Sequence, residues 1–127
     1  MNIAIDVNRY VDFARGLREA IEVFAHAAAI HVPFIVLAEL RVGFRVGSRN
    51  AQNERRLAQF MSRPGVGPLW PDEATTHIYA DLFAHLRRAG TPIPLPDVWI
   101  ASLCVQHGLP IYSRDAHFDR IPRLARI

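Results

Sequence analysis

Four acidic residues share one kind of position in this chain, at or just beyond the end of an apolar segment or near the start of the helix that follows. They are Asp6, Glu39, Asp97 and Asp115. In open parallel sheets, ligands bind at the carboxyl ends of the strands. Carboxylates that meet there repel one another, and a divalent cation removes that repulsion. We therefore expect the four acids to bind Mg²⁺ or Mn²⁺, which prefer oxygen ligands.

A carboxylate cluster of this kind suits hydrolysis of a phosphodiester, because one ion activates water and another stabilises the leaving oxygen. Taken singly, each acid also has an ordinary structural explanation. Asp6 and Asp97 are good helix caps, Glu39 is a favourable partner for a helix dipole, and Asp115 is a common turn residue. Four acids at four equivalent positions are nevertheless hard to explain by capping alone.

The elements that must position these acids alternate between strands and helices. Short apolar or β-rich segments predict strands at residues 2–6, 31–36, 66–70, 109–113 and 124–127. Apolar residues at spacings of three and four predict helices at residues 11–29, 37–46, 50–62, 72–89 and 97–107, the fourth of them capped by Asp72. An extended loop is predicted at 91–96 and a turn or short helix at 114–120. This order predicts a three-layer α/β/α fold with a mostly parallel sheet.

Length and composition set the class of protein. The 127 residues are 50% hydrophobic and 21% charged, which predicts a single folded domain over residues 1–127. The one cysteine, Cys104, excludes a disulfide framework, and we expect it to be buried and not to act as a nucleophile. No apolar run is long enough to span a bilayer, and no signal peptide is recognisable. A cytoplasmic domain is therefore expected.

The basic residues exclude several chemistries. All 15 of them are arginine, and the chain contains no lysine. A P-loop requires a phosphate-binding lysine, and a Schiff-base enzyme requires an amine nucleophile. Receiver domains and haloacid-dehalogenase-type phosphatases also normally use a lysine beside the phosphoryl group. None of these mechanisms operates here in its usual form.

In order along the chain, the segments around the four acids resemble the motifs of one family. These segments are IDVN at residues 5–8, LAELRVG at 37–43, PDVWIA at 96–101 and GLPIYSRDAHF at 108–118. Together they resemble the PIN-domain family, specifically its VapC-type toxin ribonucleases from bacterial type II toxin–antitoxin systems. The resemblance runs from end to end of the chain and implies a PIN-like fold.

The resemblance also implies an activity, a cofactor and partners. It implies a Mg²⁺- or Mn²⁺-dependent endoribonuclease that acts as a homodimer and is silenced by an antitoxin protein. Asp6, Glu39, Asp97 and Asp115 would be the catalytic, metal-binding acids, and Asn8 would support Asp6. The family usually has Thr or Ser where this chain has Val7, and Asn, Thr or Ser where it has Pro96.

Arginines follow the second acid closely and provide candidate contacts to RNA. Arg41 and Arg45 belong to a cluster of five arginines within residues 41–56, and Arg114 lies beside Asp115. Guanidinium groups suit bidentate contacts to phosphate, so these three residues are the predicted substrate-binding set. A solvated helix face explains the cluster equally well, and Arg114 could simply pair with a nearby acid.

The histidines show no metal-binding spacing, since no HExxH pattern exists. His117 lies close to the fourth acid and could help to position a phosphate, although a structural role is favoured. The apolar region from Phe13 to Phe44 is a plausible landing place for an antitoxin. Two other functions stay open: a PIN-like module that binds RNA or protein without cleaving, and a nuclease that acts on DNA.

Overall fold

The computed structural model of the chain describes residues 1–127, and its centre is a four-stranded, all-parallel sheet. The strands are β1 (Asn2–Ile5), β2 (Ala29–Pro33), β3 (Val66–Leu69) and β4 (Ile111–Tyr112), in the order β3-β2-β1-β4. Six helices connect and cover them: α1 (Val7–Ala14), α2 (Arg18–His26), α3 (Phe34–Val46), α4 (Asn50–Met61), α5 (Glu73–Arg88) and α6 (Leu95–His107). A 3₁₀ helix follows at Ala116–Arg120. The predicted α/β class with a parallel sheet is confirmed.

The predicted helix over 11–29 is wrong, because the chain forms two helices there. Asp6 caps α1, so that helix begins at residue 7 and ends at Ala14. Gly16 has a φ of +80°, a left-handed conformation that glycine adopts easily, and the chain turns there into α2. The second helix ends at His26, and β2 then begins at Ala29, two residues before the predicted start.

Two further helices begin earlier in the chain than the sequence predicts. Strand β2 ends at Pro33, and α3 begins at Phe34 where the sequence predicts strand up to residue 36. Helix α6 begins at Leu95, inside the predicted extended loop. Pro96 lies in the first turn of α6, where a backbone N–H has no intrahelical acceptor, so proline costs the helix no hydrogen bond.

The other predicted elements form, but the last two predicted strands are shorter than expected. Asp72 caps α5, as the sequence predicts, and the structure adds a reciprocal hydrogen bond from Asp72 N to Thr75 Oγ1. The strand predicted at 109–113 is confined to β4. The strand predicted at 124–127 forms only a single parallel bridge, between Ile111 and Arg126. Two hydrogen bonds of 2.9 Å hold that bridge, from Ile111 N to Ala125 O and from Ile127 N to Ile111 O.

One apolar core fills the space between the sheet and the helices. Val32, Val36 and Ile100 are completely buried in it. Cys104 is also completely buried and free, and burial raises the pKa of its thiol to about 12. The thiol is therefore no nucleophile, in agreement with the sequence analysis. None of the helices combines the length and the apolar character that crossing a membrane requires.

Candidate active site

Asp6 is fixed at the carboxyl end of β1 by bonds to both of its carboxylate oxygens. Its Oδ1 accepts from Val7 N at 2.8 Å, which caps α1, and its Oδ2 accepts from Ser113 Oγ at 2.6 Å. The backbone N–H of Asp6 also donates to Tyr112 O, which extends the pairing between β1 and β4. Asp6 is only 7% exposed. Capping and a place in the site are therefore compatible roles for this residue.

Ser113 joins the first and last acidic motifs. Its side chain is completely buried, and its Oγ accepts from Asp115 N at 2.9 Å as well as donating to Asp6. Asn8 Nδ2 lies 3.3 Å from both Asp6 Oδ2 and Ser113 Oγ, and Asn8 Oδ1 accepts from Arg114 N. Asn8 thus lies where the resemblance implies a supporting group. The buried Ser113 hydroxyl provides a donor to Asp6 in a chain where Val7 has none.

Asp97 and Asp115 converge on one histidine. Asp97 is the third residue of α6, and the N-cap of that helix is Pro94, so Asp97 is not the cap. His117 Nδ1 lies 3.1 Å from Asp97 Oδ2 and 3.1 Å from Asp115 Oδ1. The backbone N–H of His117 donates to Asp115 Oδ1 at 2.9 Å, which starts the 3₁₀ helix. The short turn therefore holds Asp115 and His117 beside Asp97.

Burial, with repulsion between the acids added to it, raises the pKa values of Glu39 and Asp97. Partial burial, followed by the charges of Asp6 and Asp97, raises the pKa of Glu39. Burial is also the main cause that raises the pKa of Asp97; a hydrogen bond with His117 opposes the rise, and the charges of Asp115 and Asp6 add to it. Glu39 remains exposed at the rim, on α3. The structure thus brings Glu39 within electrostatic range of Asp6 and Asp97, and Asp97 within range of Asp6 and Asp115.

The donor set fits a divalent cation. One ligand atom each from Asp97, Asp115 and His117 can be chosen so that all three lie within 4.8 Å of one another. Asp6 and Glu39 add carboxylates whose repulsion a cation would relieve. Oxygen donors dominate the cluster, which matches the preference of Mg²⁺ and Mn²⁺.

The structure gives the predicted substrate-binding arginines acidic partners. Arg41 and Arg45 on α3 both pair with Glu54 on α4, at 3.3 and 2.9 Å. Arg114 pairs with Asp12, a buried residue of α1 that also contacts Arg9 at 3.4 Å. All three arginines nevertheless keep about half of their side-chain surface exposed, from 46% to 59%. They remain accessible, but none is an isolated cation.

Three residues of this region have no firm role in the sequence analysis. Ser113 lies inside the fourth motif, two residues before Asp115, which is the signal that could have identified it. His117 has the same spacing on the other side of Asp115. Asp12 carries no comparable sequence signal, because its contact with Arg114 joins residues 102 positions apart.

Comparisons with known proteins agree with this architecture. A family model for the PIN domain matches residues 2–124. The chain is 34% identical over 91 residues to Ribonuclease VapC4 of Mycobacterium tuberculosis (strain ATCC 25618 / H37Rv), covering 72% of this chain and 70% of that protein.

Solved structures with the same fold include toxin–antitoxin complexes. VapBC2 from Rickettsia felis, bound to a DNA fragment from its promoter, matches with a TM-score of 0.85 and 26% identity over 100% of this chain and 98% of that chain. VapBC-5 from Mycobacterium tuberculosis matches with a TM-score of 0.73 and 25% identity, over 99% and 97% of the two chains. The order of the motifs, the parallel sheet and the family match agree, and the chain belongs to the PIN-domain family, in its VapC branch.

Proposed function

We propose that this chain is the ribonuclease toxin of a toxin–antitoxin pair and that it cleaves RNA with the help of Mg²⁺ or Mn²⁺. The observation that carries the proposal is the convergence of Asp6, Glu39, Asp97 and Asp115 at the carboxyl edge of the sheet, where the pKa values of Glu39 and Asp97 are raised. Relatives named as VapC ribonucleases support the choice of RNA.

Each acid has a distinct part in this proposal. A bound cation would neutralise the crowded carboxylates and activate water for attack on the phosphodiester. Ser113 holds the Asp6 carboxylate by donating to Oδ2 and so leaves its orientation fixed before any ligand binds. Asp97 and Asp115 provide the opposite wall, and Glu39 lies at the exposed rim, where an RNA backbone can approach. No side chain is needed as a covalent nucleophile.

Arginines near the rim are the proposed contacts to the RNA backbone. Arg41 and Arg45 lie on α3, two and six residues beyond Glu39, and Arg114 directly precedes Asp115. Their pairing with Glu54 and Asp12 restricts their orientation without burying them. A guanidinium group held in this way can exchange its carboxylate partner for a phosphate, or it can bind both at once.

An antitoxin is the proposed protein partner, and a groove beside α1 is its proposed binding surface. Two adjoining cavities, which share Tyr10, Ala14 and Arg56, run between α1 and the helices α3 and α4. Phe13 and Phe44 add apolar surface, and arginines lie along the margins. An apolar helix with acidic flanks would fit such a groove. Solved structures with this fold include VapBC toxin–antitoxin proteins, which supports an antitoxin as the partner. The homodimer stays a prediction.

Cleavage of a cellular RNA pool tests the proposed activity. Purified protein freed of antitoxin would be incubated with Mg²⁺, with Mn²⁺ or with EDTA, and the fragment ends would be sequenced. We expect RNA fragments when Mg²⁺ or Mn²⁺ is present and none in EDTA. The Asp97→Asn variant should produce no fragments with either metal. Asp81→Asn, an exposed change on α5, is the matched control and should cleave normally.

Failure would have a defined meaning. Folded wild-type protein that binds RNA but leaves it intact with either metal would contradict the nuclease proposal and favour a binding module. Selective cutting of single-stranded DNA would instead identify DNA as the substrate. Neither departure from the family favours these outcomes, because Ser113 provides the hydroxyl that Val7 lacks and Pro96 fits the first turn of α6.

A further inference from the structure

His117 lies beside two of the four acids, Asp97 and Asp115, yet the four-carboxylate site has no role for it. Its Nδ1 is 3.1 Å from Asp97 Oδ2 and 3.1 Å from Asp115 Oδ1. The two oxygens belong to different elements, α6 and the turn before the 3₁₀ helix. The side chain is 40% exposed, so packing in the core does not determine its position. Two carboxylates from different elements therefore converge on one ring nitrogen.

The distances match those between neighbouring ligands of one cation. Ligand atoms about 2.1 Å from an octahedral ion are about 3.0 Å apart when they occupy adjacent positions. Both N···O separations at His117 are close to this value. Nδ1 and Asp97 Oδ2 are within hydrogen-bond distance, but the one proton that Nδ1 can carry cannot be directed at both carboxylate oxygens. The backbone bond from His117 N to Asp115 Oδ1 keeps the ring on this side of the turn.

We propose that His117 is a metal ligand through Nδ1 and forms one face of the coordination sphere together with Asp97 and Asp115. The proposal rests on the metal-binding part of the proposed function. The ring binds as the neutral tautomer with its proton on Nε2. Both ions prefer oxygen ligands, but Mn²⁺ is a first-row transition-metal ion that also accepts an imidazole nitrogen, whereas Mg²⁺ is bound through oxygen. His117 therefore makes the site selective for Mn²⁺ over Mg²⁺.

Metal affinity measured by calorimetry gives the first test, and it requires no RNA. His117→Gln should lower the affinity for Mn²⁺ by at least about tenfold, since even groups that only orient a ligand contribute about that much. The affinity for Mg²⁺ should change less than about threefold, because Mg²⁺ gains little from a nitrogen ligand. His77→Gln makes the same chemical change at an exposed position of α5 and should alter neither affinity.

Pulsed electron paramagnetic resonance of the Mn²⁺-loaded full chain tests ligation directly in the wild-type protein. A coordinated imidazole gives a nitrogen coupling to Mn²⁺, and its frequency changes when the histidines carry ¹⁵N. We expect this coupling in the wild type and in His77→Gln, and its loss in His117→Gln. The wild-type measurement decides the question even if the His117 variant folds poorly.

The possible outcomes separate this inference from the proposed function. Tight Mn²⁺ binding without any nitrogen coupling would overturn the role of His117 and leave metal-dependent cleavage standing. Equal losses of Mn²⁺ and Mg²⁺ affinity in His117→Gln would overturn the selectivity, because His117 would then act only through the carboxylates. A folded wild-type chain that binds neither ion would overturn both this inference and the metal-dependent function.

Discussion

At the scale of single residues, the Ser113 hydroxyl makes the shortest hydrogen bond to the Asp6 carboxylate, at 2.6 Å. Ser113→Ala would leave the backbone N–H of Asp115 without its partner and Asp6 Oδ2 with only the longer contact to Asn8 Nδ2. An unsatisfied buried group costs about 1–3 kcal/mol, so we expect a loss of unfolding free energy in that range. Mn²⁺ affinity should fall about tenfold, because the carboxylate is no longer oriented.

Urea unfolding and calorimetry would measure these two effects. Ser102→Ala is the matched control, since Ser102 is also completely buried and its Oγ donates only to Val98 O within α6. This control should leave metal affinity unchanged. Equal metal affinity in Ser113→Ala and Ser102→Ala would contradict the role assigned to Ser113.

The raised pKa values of Glu39 and Asp97 predict the pH dependence of the metal-free protein. Because the folded chain binds these protons more tightly than the unfolded chain, their contribution to stability is fully present below the unfolded pKa values of about 4. It is lost as pH rises through the folded pKa values. Asp97→Asn should therefore become stabilising relative to wild type as pH rises above 4, when both proteins are melted in EDTA.

Asp97→Asn should also bind Mg²⁺ more weakly than wild type, because it lacks one metal ligand. The stabilisation by added Mg²⁺ should therefore be smaller in the variant. Asp81→Asn is the comparison at an exposed position and should show no such pH-dependent difference. If Asp97→Asn instead unfolded more easily at neutral pH without metal, Asp97 would be a structural residue and its place in the metal site would be wrong.

The acids could be predicted at this scale, while their supporting contacts could not. Each acid follows a recognisable apolar segment or begins a helix, and the parallel order of the strands brings those positions to one edge. The bond from Ser113 to Asp6 depends in addition on the exact register of β1 against β4. The Asp12–Arg114 pair depends on side-chain orientations across 102 residues, which local patterns do not determine.

At the scale of elements, sequence periodicity predicted the existence of most helices better than their ends. The run over 11–29 has apolar residues at helical spacing on both sides of Gly16, so periodicity alone gives one helix. The actual break depends on Asp6 capping α1 and on the left-handed turn at Gly16. The sequence likewise predicts Pro33 inside a strand and Pro96 inside a loop. Both residues lie at helix starts, where proline is tolerated.

The turn before β3 provides a prediction about backbone geometry. Gly65 has a φ of +79°, and a Cβ added there would lie 2.8 Å from Ala28 O. Gly16 has nearly the same φ, +80°, but no atom lies within 4 Å of its added Cβ. Gly16→Ala should therefore lose about 1 kcal/mol through the left-handed conformation alone. Gly65→Ala should lose at least about 2 kcal/mol, because the steric clash adds to that strain.

Urea titrations of the two variants provide the comparison. The clash would also disturb the hydrogen bond from Ile30 N to Gly65 O, which joins β2 to the segment before β3. Similar losses in the two variants would mean that the chain relaxes around residue 65 and that the close approach to Ala28 is unimportant.

At the scale of the whole molecule, the formal net charge of +3 is modest and the distribution of arginines decides how RNA is attracted. For single-stranded nucleic acid, each phosphate that an arginine contacts adds about 0.7 to the steepness with which log affinity falls against log salt concentration. If Arg41 and Arg45 each contact a phosphate, the double change to Gln should reduce the slope of log affinity against log salt by about 1.4.

Binding would be measured in EDTA, where the proposed cleavage does not occur. The control is Arg87→Gln with Arg88→Gln, which removes the same charge from exposed positions of α5. It should change the slope much less. Equal slopes for the two double variants would mean that Arg41 and Arg45 belong only to the ion-pair cluster around Glu54.

The pairing of β1 with β4 has a consequence for the order in which the molecule becomes active. Asp6 is synthesised well before the serine that fixes it, which follows 107 residues later. Asp115 comes later still. A nascent chain shorter than this contains the first acid without the groups that complete its surroundings. Translation itself thus imposes a delay, because the assembled acidic edge cannot exist until the ribosome has added Asp115.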